Sequence, residues 1–157
     1  MISQTAEYAL RAILCLAGAE GEPVTTQAVA QRGKIPAGYL SKVLQALGRA
    51  GIVQSQRGLH GGFTLKRDPA ALSVLDVVSA VDPIQRIHEC PLGIASHGKH
   101  LCPLHRRLDD ALCSVETALG RSTIAEILAD PNPSKPLCDL PPEDQSSEDE
   151  RTSRLAG

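Results

Sequence analysis

The chain has 157 residues, 42% hydrophobic and 22% charged, the size and balance of one soluble globular domain or of a small domain with an accessory segment. No stretch approaches the roughly 18 uninterrupted apolar residues of a membrane span. The opening MISQTAEYALRAILCLAGAEGE has no charged n-region and carries Glu7 and Arg11 inside its apolar pattern, so it does not read as a secretory signal, and a cytoplasmic protein without a membrane partner is expected.

Net charge is −2 but unevenly placed: residues 1–68 hold eight Lys/Arg against four Asp/Glu, whereas residues 69–130 hold five against eight and residues 131–157 three against six. A basic first part on an acidic whole points to a nucleic-acid face on one module. Aromatics are scarce, so Leu, Ile, Val and Ala must fill the core.

In chain order, residues 3–18 place Ala6, Ala9, Leu10, Ile13, Leu14 and Ala17 on one helical face, with Ser3 or Thr5 as N-cap and Gly18 or Gly21 as stop. VTTQAVAQRG follows as a short helix between Thr25 as N-cap and Gly33 as C-cap. A longer helix, IPAGYLSKVLQALGRAG, opens at Pro36 and closes at Gly51, with Tyr39, Leu40, Val43, Leu44 and Leu47 as its apolar stripe. Two short helices around a tight RGKIP turn, behind a longer first helix, make a helix-turn-helix. IVQSQ and GFTLK then read as two strands joined by the glycine-rich tip RGLHG, which adds a wing. ALSVLDVVSAVD has Leu72, Leu75, Val78 and Val81 at helical spacing, with Ser73 as N-cap and Asp76 favouring the same start through the helix dipole. Residues 103–120 form a long helix striped by Leu104, Leu108, Ala111, Leu112, Val115 and Leu119, for which a second copy of the chain is the simplest partner. STIAEILAD is a short final helix, and the Pro-, Ser- and acid-rich residues from Pro131 onward read as disordered.

In a helix-turn-helix the second helix lies in the major groove and residues near its N-terminus reach base edges. The candidates are Ala37, Gly38, Tyr39, Ser41, Lys42 and Gln45, of which Lys42 and Gln45 lie off the apolar stripe. Gln pairs with adenine and Lys with guanine or phosphate. Arg57 and His60 flank the wing glycines, and an Arg there suits the negative potential of the minor groove. Thr25 and Thr26, opening the first helix of the pair, complete the DNA-contact candidates. Against these stand plainer readings: Tyr39 as a packing residue with its hydroxyl at the surface, Lys42 as a solvated helix residue, and the winged fold as a protein-interaction module.

Five cysteines in a reducing compartment argue for metal binding, redox sensing or burial rather than a disulfide framework. Cys15 lies in an apolar pattern and reads as a buried small hydrophobe, and Cys138 in the tail as incidental. Residues 90–105, CPLGIASHGKHLCPLH, concentrate soft ligands. Cys102, followed by Pro103, is placed as N-cap of the long helix, where backbone N–H groups and the dipole favour a thiolate.

The opening ISQTAEYALRAI, the block IPAGYLSKVLQALGRAGIVQSQRGLHGGFTLKRD, SVLDVVSAVD, Cys90, CPLH at 102–105 and STIAEIL together resemble the IscR/NsrR family of bacterial transcription regulators, the Rrf-two type. The likeness runs from about residue 1 to 130, and the wing signature RGxxGG(F/Y)xL followed by the Cys region is its most specific part. It implies a homodimeric winged-helix regulator with a long dimerisation helix, and DNA contacts from Gly38, Tyr39, Ser41, Lys42 and Arg57. Cluster-binding members carry three cysteines here, with a fourth ligand that is a His after the last Cys or an acidic or His residue from the partner's DNA-binding domain. By that resemblance Cys90 and Cys102 match the outer cysteines, Ser96 stands where the middle one is missing, His97 lies beside it, and His105 matches the following His. Glu7 occupies the acidic position, and Cys113, opposite the apolar stripe of its helix, is an unconventional third thiolate.

Three chemistries stay open for this loop: an iron–sulfur cluster, of 2Fe–2S type with mixed ligation; tetrahedral zinc; or a reversible Cys90–Cys102 thiol–disulfide pair. Each residue also has a plain reading. Glu7 and Arg11 at i, i+4 form a surface ion pair, His105 caps or packs on its helix, Cys113 is a helix-surface residue, and His88 and His100 are solvated. The expectation is a mainly α protein: a winged helix-turn-helix DNA-binding domain at 1–82, a Cys/His-rich sensor loop at 83–102, a dimerisation helix and terminal helix at 103–130, and a disordered acidic tail at 131–157. Its expected function is binding of a double-stranded DNA operator as a homodimer, with iron–sulfur, redox or nitric oxide status sensed through the loop. The alternatives are regulation by thiol oxidation or a small ligand without a cluster, and a small zinc or electron-transfer protein. No nucleophile–base arrangement, phosphate loop or paired carboxylates suggest an enzyme.

Overall fold

A computed structural model of the chain describes residues 2–94, 100–134 and 136, so the expected tail from 137 onward, with Cys138, lies outside the described residues, as do Ser96 and His97. Helix α1 (Gln4–Ala17) starts at Ser3, whose hydroxyl accepts from the Ala6 N–H at 3.2 Å, and ends at Gly18. The predicted face is too narrow. Tyr8, Ala12, Cys15 and Leu16 are buried with Ala6, Ala9 and Ile13, whereas Leu10, Leu14 and Ala17 are only partly covered. The reason is that α1 is packed on several sides rather than laid on one surface, so no single helical stripe describes it.

Helix α2 (Thr26–Arg32) is capped by the Thr25 hydroxyl, which accepts from the Ala28 N–H at 3.1 Å, and Gly33 closes it as expected. A Cβ on Gly33 would lie 2.7 Å from the tip of the Ile35 side chain and 3.0 Å from Val29 O, so a larger residue there would have to displace Ile35. Lys34 sits in the left-handed region at φ 49°, and Ile35, 4% exposed, anchors the turn in the core. Helix α3 (Ala37–Arg49) follows from Pro36 and ends in a Schellman motif: Ile52 N–H donates to Leu47 O and Gly51 N–H to Gly48 O, both at 3.0 Å, with Gly51 at φ +69°. Leu40, Val43, Leu44 and Leu47 are its buried stripe, but Tyr39 is 54% exposed rather than part of it.

Strands β1 (Val53–Gln56) and β2 (Gly62–Leu65) pair antiparallel, Val53 with Leu65 and Gln56 with Gly62, around the tip at 57–61. Val24 exchanges two backbone hydrogen bonds with Phe63, at 3.0 and 2.8 Å, and so pins the hairpin to the segment before α2. After a short 3-10 turn at Pro69–Ala71 comes α4 (Val74–Val81). Its start is a full capping box: Asp76 N–H donates to Ser73 Oγ at 3.1 Å and Ser73 N–H to Asp76 Oδ2 at 3.0 Å. Burial works against ionisation of Asp76, but the bonds from Ser73 and the Arg67 guanidinium at 3.2 Å outweigh it and hold its pKa below the usual value.

Helix α5 (Pro103–Arg121) runs for 19 residues, none of them buried. The last helix, α6 (Ile124–Ala129), opens with a second capping box between Thr123 and Glu126. Val74 N–H donates to Ser122 O and Ile124 N–H to Leu72 O, both at 2.9 Å, so the two capped starts are stitched together, and Ile124 joins Leu72 in the core at 0% exposure. The incoming segment is held by Arg86: Nε and one terminal nitrogen donate to the two oxygens of Asp109 at 2.6 Å, and the other terminal nitrogen to Glu116 at 3.1 Å. Asp109 also accepts from the Ile87 N–H at 2.9 Å. The bonds from Arg86 and then Ile87 lower the Asp109 carboxyl from its ordinary 3.8 to about 2. No helix among the described residues is long and apolar enough to cross a membrane.

Ile13, 0% exposed at the centre of α1, is a direct measure of this core: Ile13→Ala is expected to lower unfolding stability by about 2–5 kcal/mol in denaturant titration. Asp109 provides a pH test. A carboxyl depressed in the fold stabilises it fully above its ordinary pKa and loses that contribution as pH falls towards 2. The stability difference between the native chain and Asp109→Asn should therefore shrink between about pH 4 and pH 2. A pH-independent gap in acid titrations followed by circular dichroism would contradict the role given to the Arg86 contact.

Candidate nucleic-acid interface and cysteine loop

Helix α3 presents one face to the core and the other to solvent, and the candidates Ala37, Gly38, Tyr39, Ser41, Lys42 and Gln45 all lie on the exposed side. No side chain caps its N-terminus, so the Ala37 and Gly38 N–H groups have no capping side chain at the positive end of the dipole, while the Tyr39 N–H donates to Pro36 O at 2.9 Å. A Cβ on Gly38 would meet nothing within 4 Å, so a surface as broad as a phosphate backbone can approach there. The Ser41 hydroxyl turns back to Ala37 O at 3.4 Å.

Tyr39 does not pack in the core. Its ring stands edge-on to Tyr8 at 5.9 Å between centroids, and the Arg11 guanidinium lies 5.8 Å from the Tyr8 ring. Arg11 is also ion-paired with Glu7 and donates to Gly33 O at 3.4 Å, which ties α1 to the helix-turn-helix corner.

Between α3 and the hairpin runs an open groove of about 600 Å³. Thr26, Ser41 and Gln45 line it, together with Gln54, Ser55 and Lys66, which the sequence reading did not single out. A signal for them exists: after Val53, strand β1 is polar and exposed at every position rather than at alternate ones. Thr25 is exposed but its hydroxyl is occupied as a cap, and Arg57 and His60 stand exposed at the wing tip.

In the cysteine region, Cys102 is the N-cap of α5, followed by Pro103, and its Sγ lies 3.3 Å from His105 Nδ1. Both are half-buried, and so is Cys90, whose carbonyl accepts from the Gly93 N–H at 3.0 Å in a turn closed by Gly93 at φ +63°. His88 and His100 are exposed, and His97 lies outside the described residues. Cys113 is exposed on α5, about 16 Å along the helix from Cys102. Among the described residues no three His, Cys, Asp or Glu side chains meet as a metal-ligating group, so a single chain does not bring Glu7 or Cys113 to the Cys102–His105 pair. The donors present are two half-buried cysteines and an imidazole beside one of them, a soft set that fits iron–sulfur or zinc chemistry but needs completion. Cys15 is buried, and burial pushes its thiol pKa up against the opposing charge of Arg32.

Sequence reasoning also missed Arg86. Its two partners, Asp109 and Glu116, are seven apart on one side of α5, a spacing that marks a shared acidic face.

Comparison with known proteins gives this geometry its context. The regulator NsrR of Geobacillus kaustophilus is 32% identical over 130 residues, covering 79% of this chain and 86% of that protein. IscR of Enterobacter sp. is 28% identical over 154 residues, covering 98% of this chain and 92% of that protein. Among solved structures, IscR of T. potens matches with a TM-score of 0.69 at 25% identity over 84% of this chain and 88% of that one. CymR, the global cysteine regulator of B. subtilis, matches with a TM-score of 0.67 at 26% identity over 82% and 96%. These are winged-helix regulators, the architecture of three helices and a two-stranded wing seen here. The pattern of the Rrf2 iron-dependent transcriptional regulators covers residues 2–130, and the chain belongs to that family.

Proposed function

We propose that this DNA-binding regulator works as a homodimer that reads its operator with α3 and the wing and senses iron–sulfur, redox or nitric oxide status through the loop before α5. The observation that carries the reading is the position of Cys102. It is at once a ligand-type side chain 3.3 Å from His105 and the N-cap of the helix whose Leu104, Leu108 and Val115 are 62%, 48% and 42% exposed. A change of state at Cys102 is thus a change at the end of the element best suited to meet a second copy.

In this reading Lys42 and Gln45 reach base edges from α3, Gly38, Tyr39 and Ser41 sit close to the backbone, and Thr25 and Thr26 border it from α2. Arg57 enters the minor groove from the wing, with His60 beside it. Two recognition helices set about one helical turn apart would read a two-fold symmetric operator, so a shift of the dimer contact alters affinity. Cys90, Cys102 and His105 are the residues that would hold a 2Fe–2S cluster or zinc, and His97, Glu7 of the second subunit or Cys113 would complete the set. A bound cluster would supply redox and nitric oxide reactivity. For Glu7, serving as that ligand means leaving Arg11, an exchange of a surface pair worth a few tenths of a kcal/mol for a metal bond.

A second reading, favoured because no three metal-ligating side chains meet among the described residues, is a thiol switch in which Cys90 and Cys102 oxidise without a metal. One preparation separates the two. Protein purified without oxygen should be coloured and contain iron and sulfide in equal amounts. A colourless, zinc-free protein whose DNA affinity still changes on oxidation would replace the cluster by the thiol pair.

The DNA contacts make a separate prediction. Arg57→Ala should weaken duplex binding and reduce the slope of log K against log salt by about one, and Lys42→Ala should weaken binding to the preferred duplex and relax sequence preference, with the fold unchanged because both side chains are exposed. A native slope for Arg57→Ala, or native affinity and sequence preference for Lys42→Ala, in fluorescence anisotropy titrations would remove that residue from the interface.

A further inference from the structure

Leu59 is 97% exposed, the most exposed large hydrophobic side chain among the described residues. It does not hang from a loose loop. Gly58, at φ +115°, begins a four-residue turn that Gly61 N–H closes on Gly58 O at 3.0 Å, so Leu59 and His60 occupy its two apical positions.

The turn has a fixed base. A Cβ on Gly61 would fall 2.6 Å from Gln56 O, and one on Gly62 2.5 Å from Val24 O, so the chain passes here at backbone contact. The Val24–Phe63 hydrogen bonds lock that base to the helix-turn-helix. The result is a short stiff finger with an aliphatic tip.

Its surroundings narrow the partner. From Gln54 to Lys66 the hairpin carries Arg57 beside the tip, Lys66 at the opposite end and no acidic residue, while Arg67 beyond it is paired with Asp76. A bare leucine in a basic setting matches a surface that is anionic outside and apolar between its layers, which is the description of stacked base pairs behind phosphates. We propose that Leu59 is an apolar wedge, carried into the minor groove beside Arg57, which partly unstacks one flexible pyrimidine–purine step flanking the sequence read by α3. Such TA or CA/TG steps kink most easily, so the wedge adds sequence preference where no base edge is hydrogen-bonded. The inference rests on the DNA-reading proposed above and adds to it a specificity residue of this chain.

The test is selection from a random-sequence duplex library with the full-length native chain, Leu59→Ala and Leu59→Met in parallel. Titrations follow on the selected duplex, with 2-aminopurine at the flanking step. The native chain is expected to enrich a core sequence plus a pyrimidine–purine step at a fixed offset, and to raise 2-aminopurine fluorescence there. Leu59→Ala should keep the core, lose the step preference and the fluorescence change, and bind the step-bearing duplex about tenfold more weakly, while Leu59→Met restores all three. Leu59→Ala selecting the same core and step with unchanged affinity would overturn the wedge and leave the DNA-reading intact, with the exposed leucine then serving a protein partner. Loss of core and step together in a normally folded Leu59→Ala would also overturn it, since a wedge acts on one flank. A native chain that enriches nothing would overturn the DNA-reading itself.

Discussion

Helix α1 must be approached closely by other elements on more than one side, and that requirement explains its small residues. Ala6, Ala9 and Ala12 are at most 1% exposed, and their lack of bulk lets neighbouring helices reach the backbone of α1, while Ile13 and Leu16 fill the space between them. What remains exposed on α1 is a narrow strip with Glu7, and Arg11 at its edge. That strip is structural in its own right, since Arg11 reaches Gly33 O at the corner of the helix-turn-helix and lies against Tyr8, which supports Tyr39. The setting of α3 is therefore fixed from behind by the core and from its N-terminal side by this polar and aromatic contact.

The wing is constrained in the same way, by backbone rather than by side chains. Gly61 and Gly62 each stand where a Cβ would collide with backbone, and the Schellman turn after α3 starts β1 at a fixed angle. The helix and the hairpin thereby keep a fixed spacing, as any surface shared by the two requires. The pairing of Val24 with Phe63 supplies that spacing with two hydrogen bonds that depend on no particular side chain.

Most of these elements were legible because each is specified locally. Ser3, Thr25 and Ser73 are caps by residue type and position, and the alternation around RGLHG admits a hairpin and little else. The face of α1 was misread because periodicity reports one buried side, and a helix at the centre of a small core has several. Tyr39 was misplaced for a related reason: helical spacing puts it beside Leu40 and Val43, but only tertiary contact with Tyr8 shows that the ring lies over the core's edge. At the site, exposure of Lys42, Gln45, Arg57 and His60 followed from the stripe and the turn. The groove residues Gln54, Ser55 and Lys66 depend on how the hairpin leans against α3, and the Arg86 contact joins positions more than twenty residues apart. The polar run of β1 and the Asp109/Glu116 spacing mark the faces involved, but no local pattern encodes what those faces meet.

Arg86 also shows how differently the two ends of the molecule are held. Helix α5 buries none of its residues, so its attachment comes from polar contacts near the surface: the bidentate Arg86–Asp109 pair, the bond to Glu116 and the stitched starts of α4 and α6. Its C-terminal end also has apolar support, with Leu119 against the core and Gly120 open enough for Leu75 to approach a Cβ position at 3.5 Å. Its first residues lie ahead of the Asp109 contact and have no apolar cover, with Leu104 and Leu108 facing solvent. Ion pairs this near the surface hold a helix less firmly than burial of a leucine stripe does. In the isolated chain the start of α5, with Cys102 and His105, is therefore the least stabilised part of a long helix, while its far end is anchored to the core that sets α3. A helix of 19 residues is roughly 28 Å of stiff rod, so a contact made or lost at that free end acts with a long lever arm on the end that is fixed.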